Sequence, residues 1–108
     1  MSLAALPDGP LASGSRYNTI RIWGVTPGAV GCQAVLTGHT SIVGALAVLH
    51  DGRLASGSGD CSIRVWDVRS GACEAVLEGH EGDVISLAVL DDGRLASGSV
   101  DKTIRLWE

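Results

Sequence analysis

The stretch Leu49 to Ser58, LHDGRLASGS, returns as LDDGRLASGS at Leu90 to Ser99 and in altered form as LPDGPLASGS at Leu6 to Ser15. The leading leucines stand 43 and 41 residues apart, and Trp23, Trp66 and Trp107 keep the same two spacings. His39 and His80, each preceded by glycine, repeat at 41. Three landmarks on one period make this chain a repeat array, in which each unit of about 40 residues must be a small supersecondary structure that buries its apolar face against a neighbour.

Within the complete unit, four short runs alternate with turn chemistry. Val43 to Leu49 is a nearly continuous apolar run, the pattern of a strand covered on both faces. Asp51-Gly52 after it is a hairpin signal, because glycine takes positive φ without steric cost. Leu54 to Ser58 reads as a second strand, and Gly59-Asp60 turns the chain into Ser62 to Trp66, where Ile63 and Val65 share one face. The segment from Val68 to Gly71 reads as a loop and Cys73 to Leu77 as a fourth strand. Glu78-Gly79-His80 closes the unit and leads into Val84 to Leu90. The equivalents in the first unit are Ser2 to Leu6, Leu11 to Ser15, Thr19 to Trp23 and Cys32 to Leu36. No window offers an amphipathic helix, since glycine interrupts nearly every candidate. The prediction is an all-β chain of antiparallel four-stranded meanders, each of a length suited to a propeller blade.

The Gly-His pairs Gly38-His39 and Gly79-His80, the LASGS runs, Asp60 and Asp101, and the ends Trp66-Asp67 and Trp107-Glu108 together resemble the WD40-repeat family. The likeness spans essentially the whole chain and is specific, because it combines a period, two dipeptides and a fixed internal order. It implies three WD40-type β-propeller blades, the last lacking its outer strand, with repeats at 1–39, 40–80 and 81–108. The first strand of repeat one starts without the Gly-His that should precede it, and the sequence runs only to Glu108, the residue after Trp107, before a fourth strand. Propellers close with roughly four to eight blades, so three blades form an incomplete ring. The expectation is therefore a fragment of a longer protein, a homo-oligomer (two chains making six blades or three chains nine), or a partly degraded gene product that folds poorly.

Composition sets further bounds. The net charge is −4 and there is no basic run, which disfavours a nucleic-acid partner; Arg21, Arg64 and Arg105 are repeat positions, solvated or paired along strands. No segment is long and apolar enough to cross a membrane as a helix, and no charged and apolar leader marks secretion. Cys32, Cys61 and Cys73 are odd in number and show no C-x-x-C spacing, so three free thiols in a reducing compartment are expected, in the cytoplasm or nucleus, with no zinc site and no cofactor.

Histidine, serine, aspartate and tryptophan recur together as His39, Ser56, Asp60 and Trp66, and again as His80, Ser97, Asp101 and Trp107. Serine with histidine and aspartate invites a catalytic-triad reading. A nucleophile and base are needed once per active site, whereas a repeated set serves something every blade needs. By the resemblance these residues form a structural hydrogen-bond network, in which a buried indole N–H finds its partner. Ser56 and Ser58 face the same way, so spacing alone does not choose between them; Ser56 and Ser97 are the expected members. Repeat one departs from the pattern, with Tyr17 opposite Asp60, Gly24 opposite Asp67 and no preceding histidine, so its network should be broken. Gly57 and Gly59 lie between strands with no helix after them and form no phosphate loop.

The resemblance implies a non-catalytic interaction scaffold or adaptor that offers the top face of its blades to a protein or peptide partner. The turns on that face carry Thr40, Ser41, Ile42, Gly59, Glu81, Gly82, Asp83 and Val100, a small and mildly acidic set suited to a basic or polar peptide. Other readings are a structural repeat fragment with no independent activity, and the substrate-receptor part of a ubiquitin ligase, which would need an accessory motif such as an F-box; none precedes Leu3. An enzyme would need one unrepeated polar constellation, and the sequence offers none.

Overall fold

The computed structural model describes residues 2–6, 9–15, 18–26 and 29–107. Eleven strands among them form three antiparallel sheets. Blade 1 consists of β1 (Ser2–Ala5), β2 (Leu11–Gly14), β3 (Ile20–Thr26) and β4 (Ala29–Leu36). Blade 2 consists of β5 (Val43–Val48), β6 (Leu54–Ser58), β7 (Ile63–Asp67) and β8 (Ala72–Leu77). Blade 3 has three strands, β9 (Val84–Val89), β10 (Leu95–Ser99) and β11 (Ile104–Trp107). In each sheet the strands follow one another in chain order, so the architecture is an open arc of propeller blades.

The hairpin at Asp51-Gly52 has a three-residue loop. The Leu49 N–H donates to Arg53 O at 2.8 Å and the Gly52 N–H to Leu49 O at 2.9 Å, with Gly52 at φ 91°. This is a turn closed by a left-handed residue, the role glycine fills at least cost. The next turn falls at Gly59-Asp60 as expected. Positive φ falls on Cys61 at 72°, with Asn18 at 70° and Lys102 at 70° in the equivalent places, and Gly59 does not supply it. The strand Val43–Val48 is also only half covered, with Gly44 exposed, because Gly44 is the extra residue of a bulge between Val43 and Ala45.

Register assigns each side chain to a face. Leu54 pairs with Trp66, Ser56 with Arg64 and Leu46, and Val48 with Leu54, so all of these share the rear face, which looks toward the preceding blade. Ala55, Gly57, Ile63 and Val65 share the front face. Between blades 1 and 2 the core gathers Ala12, Ile20, Ile22 and Leu36 from the front of blade 1 against Val43, Leu54 and Trp66. Between blades 2 and 3 it gathers Ala55 and Ile63 against Val84 and Leu95. Gly57 lets the blades approach: a Cβ there would lie 2.6 Å from Val84 Cγ1, closer than such atoms can sit.

A bulge recurs beside the tryptophans. Trp66 pairs with Cys73 but Val65 with Ala75, so Glu74 is extra; Trp23 pairs with Cys32 but Ile22 with Ala34, so Gln33 is extra. The bulge puts Cys73 on the rear face beside Arg64, whose Nη1 lies 3.4 Å from Cys73 Sγ. All three cysteines are free thiols.

The blade 1 hairpin is longer than the sequence suggested. Gly24 pairs with Gly31, Val25 with Val30 and Thr26 with Ala29. In blade 2, Asp67 stops the corresponding strands: its Oδ1 accepts the N–H of Arg69 at 3.0 Å and its carbonyl accepts the N–H of Gly71 at 2.8 Å, folding the chain into a turn. Gly24 has no side chain to do this, so the ladder runs on.

Candidate functional site

The Gly-His pair has a packing reason. Gly38 stands at φ 153°, and a Cβ there would lie 2.9 Å from Arg64 Nη1 and 3.2 Å from the Trp66 ring, so both backbone conformation and space favour glycine where the loop into blade 2 passes over them. The next residue, His39, is thereby delivered edge-on to Trp66, with ring centroids 6.2 Å apart at 61°.

From there a relay runs inward and outward. Trp66 Nε1–H donates to Ser56 Oγ at 2.8 Å. Indole nitrogen is only ever a donor, so the serine hydrogen goes the other way, to His39 Nε2 at 2.6 Å. That leaves the hydrogen of the neutral imidazole on Nδ1, from which it is donated to Asp60 Oδ2 at 2.9 Å. Asp60 Oδ2 also accepts the Thr40 N–H at 3.0 Å, and Oδ1 accepts the Ser62 N–H at 2.9 Å and the Ser62 hydroxyl at 2.6 Å. Every polar group of the relay has a partner, the condition under which a buried network specifies one register.

Blade 3 repeats it. Trp107 Nε1–H donates to Ser97 Oγ at 2.9 Å, Ser97 lies 2.7 Å from His80 Nε2, and His80 Nδ1 lies 3.0 Å from Asp101 Oδ2. Asp101 accepts from the Glu81 N–H at 2.9 Å and from the Thr103 hydroxyl. In blade 1 half of the relay survives: Trp23 Nε1–H donates to Ser13 Oγ at 2.8 Å, with no histidine behind it. Tyr17 lies outside the described residues.

Ser62 and Thr103 are members that the sequence reading missed. The signal was present, since Thr19, Ser62 and Thr103 put a hydroxyl at one repeat position in all three units. Ser58 and Ser99 hold a second layer. Ser58 Oγ donates to Ser41 O at 3.1 Å and accepts the Asp60 N–H at 3.2 Å; Ser99 does the same to Gly82 O and from Asp101.

The electrostatics follow from burial and donors. Burial pushes His39 below its ordinary 6.5, against the pull of Asp60, and Arg64 nearby acts in the same direction as burial. Burial opposes ionisation of Asp60, but the donors Ser62, Thr40 and His39 outweigh it and hold the carboxyl well below the usual carboxylate range. Asp101 is held low chiefly by the Thr103 hydroxyl and the Glu81 N–H. The His39–Asp60 pair rests as neutral imidazole against carboxylate.

Above this layer lies the turn surface. The Gly59 N–H donates to Ile42 O at 2.9 Å and the Val100 N–H to Asp83 O at 3.0 Å. The structure thus brings Thr40, Ser41 and Ile42 against Gly59, and Glu81, Gly82 and Asp83 against Val100. Thr40, Ile42, Glu81, Asp83 and Val100 are exposed, while Ser41, Gly59 and Gly82 are half-buried. The two contacts are mirror choices. A Cβ on Gly59 would lie 2.6 Å from Ser41 Oγ, and a Cβ on Gly82 would lie 2.6 Å from Val100 Cγ2. At the opposite end of the blades a cleft of about 600 Å³ opens among Leu6, His50, Arg53 and Val68. Its Arg53 is ion-paired with Asp51 at 2.8 Å and Glu74 at 3.4 Å.

The chain matches the family model described as WD domain, G-beta repeat, over residues 1–24, 30–67 and 71–108. Among solved structures it resembles the WD40 beta propeller domain of Doa1, with a TM-score of 0.88 over 98% of this chain and 24% sequence identity. It spans 35% of the length of that chain. No curated protein sequence matches it.

Proposed function

Because this chain belongs to the WD domain, G-beta repeat family, we propose that it is a non-catalytic interaction scaffold or adaptor whose turn surface holds a protein or peptide partner. The observation that carries this reading is the pairing of order with exposure. The loops bearing Ile42, Glu81, Asp83 and Val100 are tied down by backbone and serine hydrogen bonds, yet their side chains face solvent. Loops already fixed lose little entropy on binding, which favours recognition by a preformed surface. Among the described residues no salt bridge engages Glu81 or Asp83, and Ile42 and Val100 add apolar contacts, so the occupant that suits this surface is a peptide carrying Lys or Arg beside a small apolar residue.

A catalytic role for the serine, histidine and aspartate is disfavoured by position. Ser56 is 0% exposed and its oxygen already accepts the Trp66 N–H, so it has no approach for a substrate. The three free thiols support an intracellular, reducing location, cytoplasmic or nuclear. A second reading, a repeat segment of a larger propeller with no activity of its own, is favoured by the 35% of the matched chain that this one spans.

The test is amide shift mapping of the labelled chain with short peptides of basic, acidic and neutral composition. Shifts confined to residues 40–42, 59, 81–83 and 100, and seen with the basic peptides, support the proposal. Shifts that map elsewhere, or none with any peptide, sink it.

A further inference from the structure

The hairpins joining the first two strands of blades 2 and 3 contain the dipeptides Asp51-Gly52 and Asp92-Gly93. Aspartate before glycine is the pairing most open to one spontaneous reaction, because no side chain shields the glycine nitrogen. That nitrogen attacks the protonated carboxyl carbon. A new N–C bond closes a succinimide ring, the carbon–oxygen bond breaks, and the hydroxyl leaves with the amide hydrogen as water. Water then reopens the ring at either carbonyl. Opening at the main-chain carbonyl leaves isoaspartate, whose backbone runs through Cβ and is one carbon longer. The sequence of steps needs no oxidant and no second reactant.

Burial does not protect either aspartate, since each side chain is 54% exposed. Hydrogen bonds do. Asp51 Oδ1 accepts the Arg53 N–H at 3.1 Å and Oδ2 accepts Arg53 Nε–H at 2.8 Å, while the Gly52 N–H donates to Leu49 O at 2.9 Å. Blade 3 repeats the arrangement: Asp92 takes the Arg94 N–H at 3.1 Å and Nε–H at 2.8 Å, and the Gly93 N–H donates to Leu90 O at 2.9 Å. Both carboxylate oxygens are thus fixed on the residue two ahead instead of turning onto the glycine nitrogen. The same donors, the arginine N–H foremost, hold both carboxyls below their ordinary 3.8, which keeps the protonated, reactive form scarce. Arg53 is itself steadied by Glu74, the extra residue of the β8 bulge, whose Oε1 accepts from Nη1 at 3.4 Å. From this repeated clamp we infer that Asp51-Gly52 and Asp92-Gly93 are isoaspartate-forming sites that Arg53 and Arg94 hold shut in the folded blade.

The chain contains its own variant of this turn. Blade 1 closes the equivalent hairpin with Pro10 in the arginine's place, the Leu6 N–H donating to Pro10 O at 2.8 Å and the Gly9 N–H to Leu6 O at 3.4 Å. Arg53→Pro therefore removes both donors while leaving a hairpin this fold already accepts. The test ages the purified chain at neutral pH and body temperature. Electron-transfer fragmentation of the intact chain splits isoaspartate between Cα and Cβ, and so counts it at each position. In the unaltered chain, isoaspartate at positions 51 and 92 should form several-fold more slowly than in the same chain unfolded in guanidinium chloride. Arg53→Gln, which keeps the main-chain donor, should speed the reaction at Asp51, and Arg53→Pro should speed it further. Asp92 should keep its slow rate in both, and Arg94→Gln should release Asp92 alone. Circular dichroism of each variant establishes that the sheet content is retained. Equal folded and unfolded rates at Asp51 overturn the inference. So does an Arg53 variant that leaves Asp51 unchanged, or one that speeds both sites alike, which is the mark of a generally loosened fold.

Discussion

Blades 1 and 2 start from the same decapeptide and end on the same tryptophan, yet only one has a complete interior. In blade 2, Trp66 is covered, its N–H is bonded to Ser56, and Ser56 is backed by His39 and Asp60. In blade 1, Trp23 keeps the bond to Ser13, and among the described residues no histidine or aspartate stands behind the serine. The tryptophan–serine bond is common to all three blades, and in blades 2 and 3 the histidine and aspartate add a tie to the loop entering from the preceding blade. Thr40 is bound to Asp60 for the same reason.

The largest break in that comparison is expected from Trp66→Ala, which removes a buried indole and leaves Ser56 short of a donor, at about 3 to 5 kcal/mol. Trp23→Ala should cost roughly half as much, because less area is lost. Urea unfolding measures both; equal shifts would mean that the relay contributes nothing beyond the tryptophan itself.

Acid should separate the blades next. His39 is lowered from 6.5 in the fold, so between its folded value and 6.5 the unfolded chain binds more protons, and stability falls as pH drops through that window. Asp60 and Asp101 are lowered from 3.8, so their contribution is present above 3.8 and is lost as pH falls further. Thermal melts across this range should decline in two stages. His39→Gln should flatten the first stage and leave the second, and a melt that is flat below 6.5 in the unaltered chain would contradict the neutral relay.

Steric substitution comes third. Gly59→Val forces a side chain against Ser41 and should cost about 1 to 3 kcal/mol, the usual range for overpacking. Adding Ser41→Gly should restore most of it, since blade 3 already holds the combination Gly82 with Val100. A double-mutant cycle with no coupling would show that the loop yields freely.

The smallest effect compares turns. Cys61→Gly and Lys102→Gly should each stabilise by up to about 1 kcal/mol, relieving side chains held at positive φ. Asn18→Gly should change little, because asparagine tolerates that conformation. Equal gains at all three sites would mean that residue type does not govern these turns.

These turns also mark where the sequence became hard to read. The period, the strand order and the pairing of serine with tryptophan were legible by subtraction, since three copies expose what each unit must keep. Positive φ on Cys61 and Lys102 was hidden, because neither residue type announces it. The bulges at Gln33 and Glu74 were equally silent. They move Cys73 onto the face of Arg64, and no polar or apolar alternation signals a one-residue slip. Ser62 is hard to see for a different reason: the other two units hold threonine at that position, and the relay asks only for a hydroxyl.

The mirror choice at the turn surface has a consequence for how such repeats diverge after duplication. Bulk is admitted on the loop or on the turn, and the two together collide. A copy with serine in the loop takes on valine in the turn at a cost of about 1 to 3 kcal/mol unless the loop has first become glycine. The less costly route between Ser41 with Gly59 and Gly82 with Val100 therefore passes through a state with glycine on both sides.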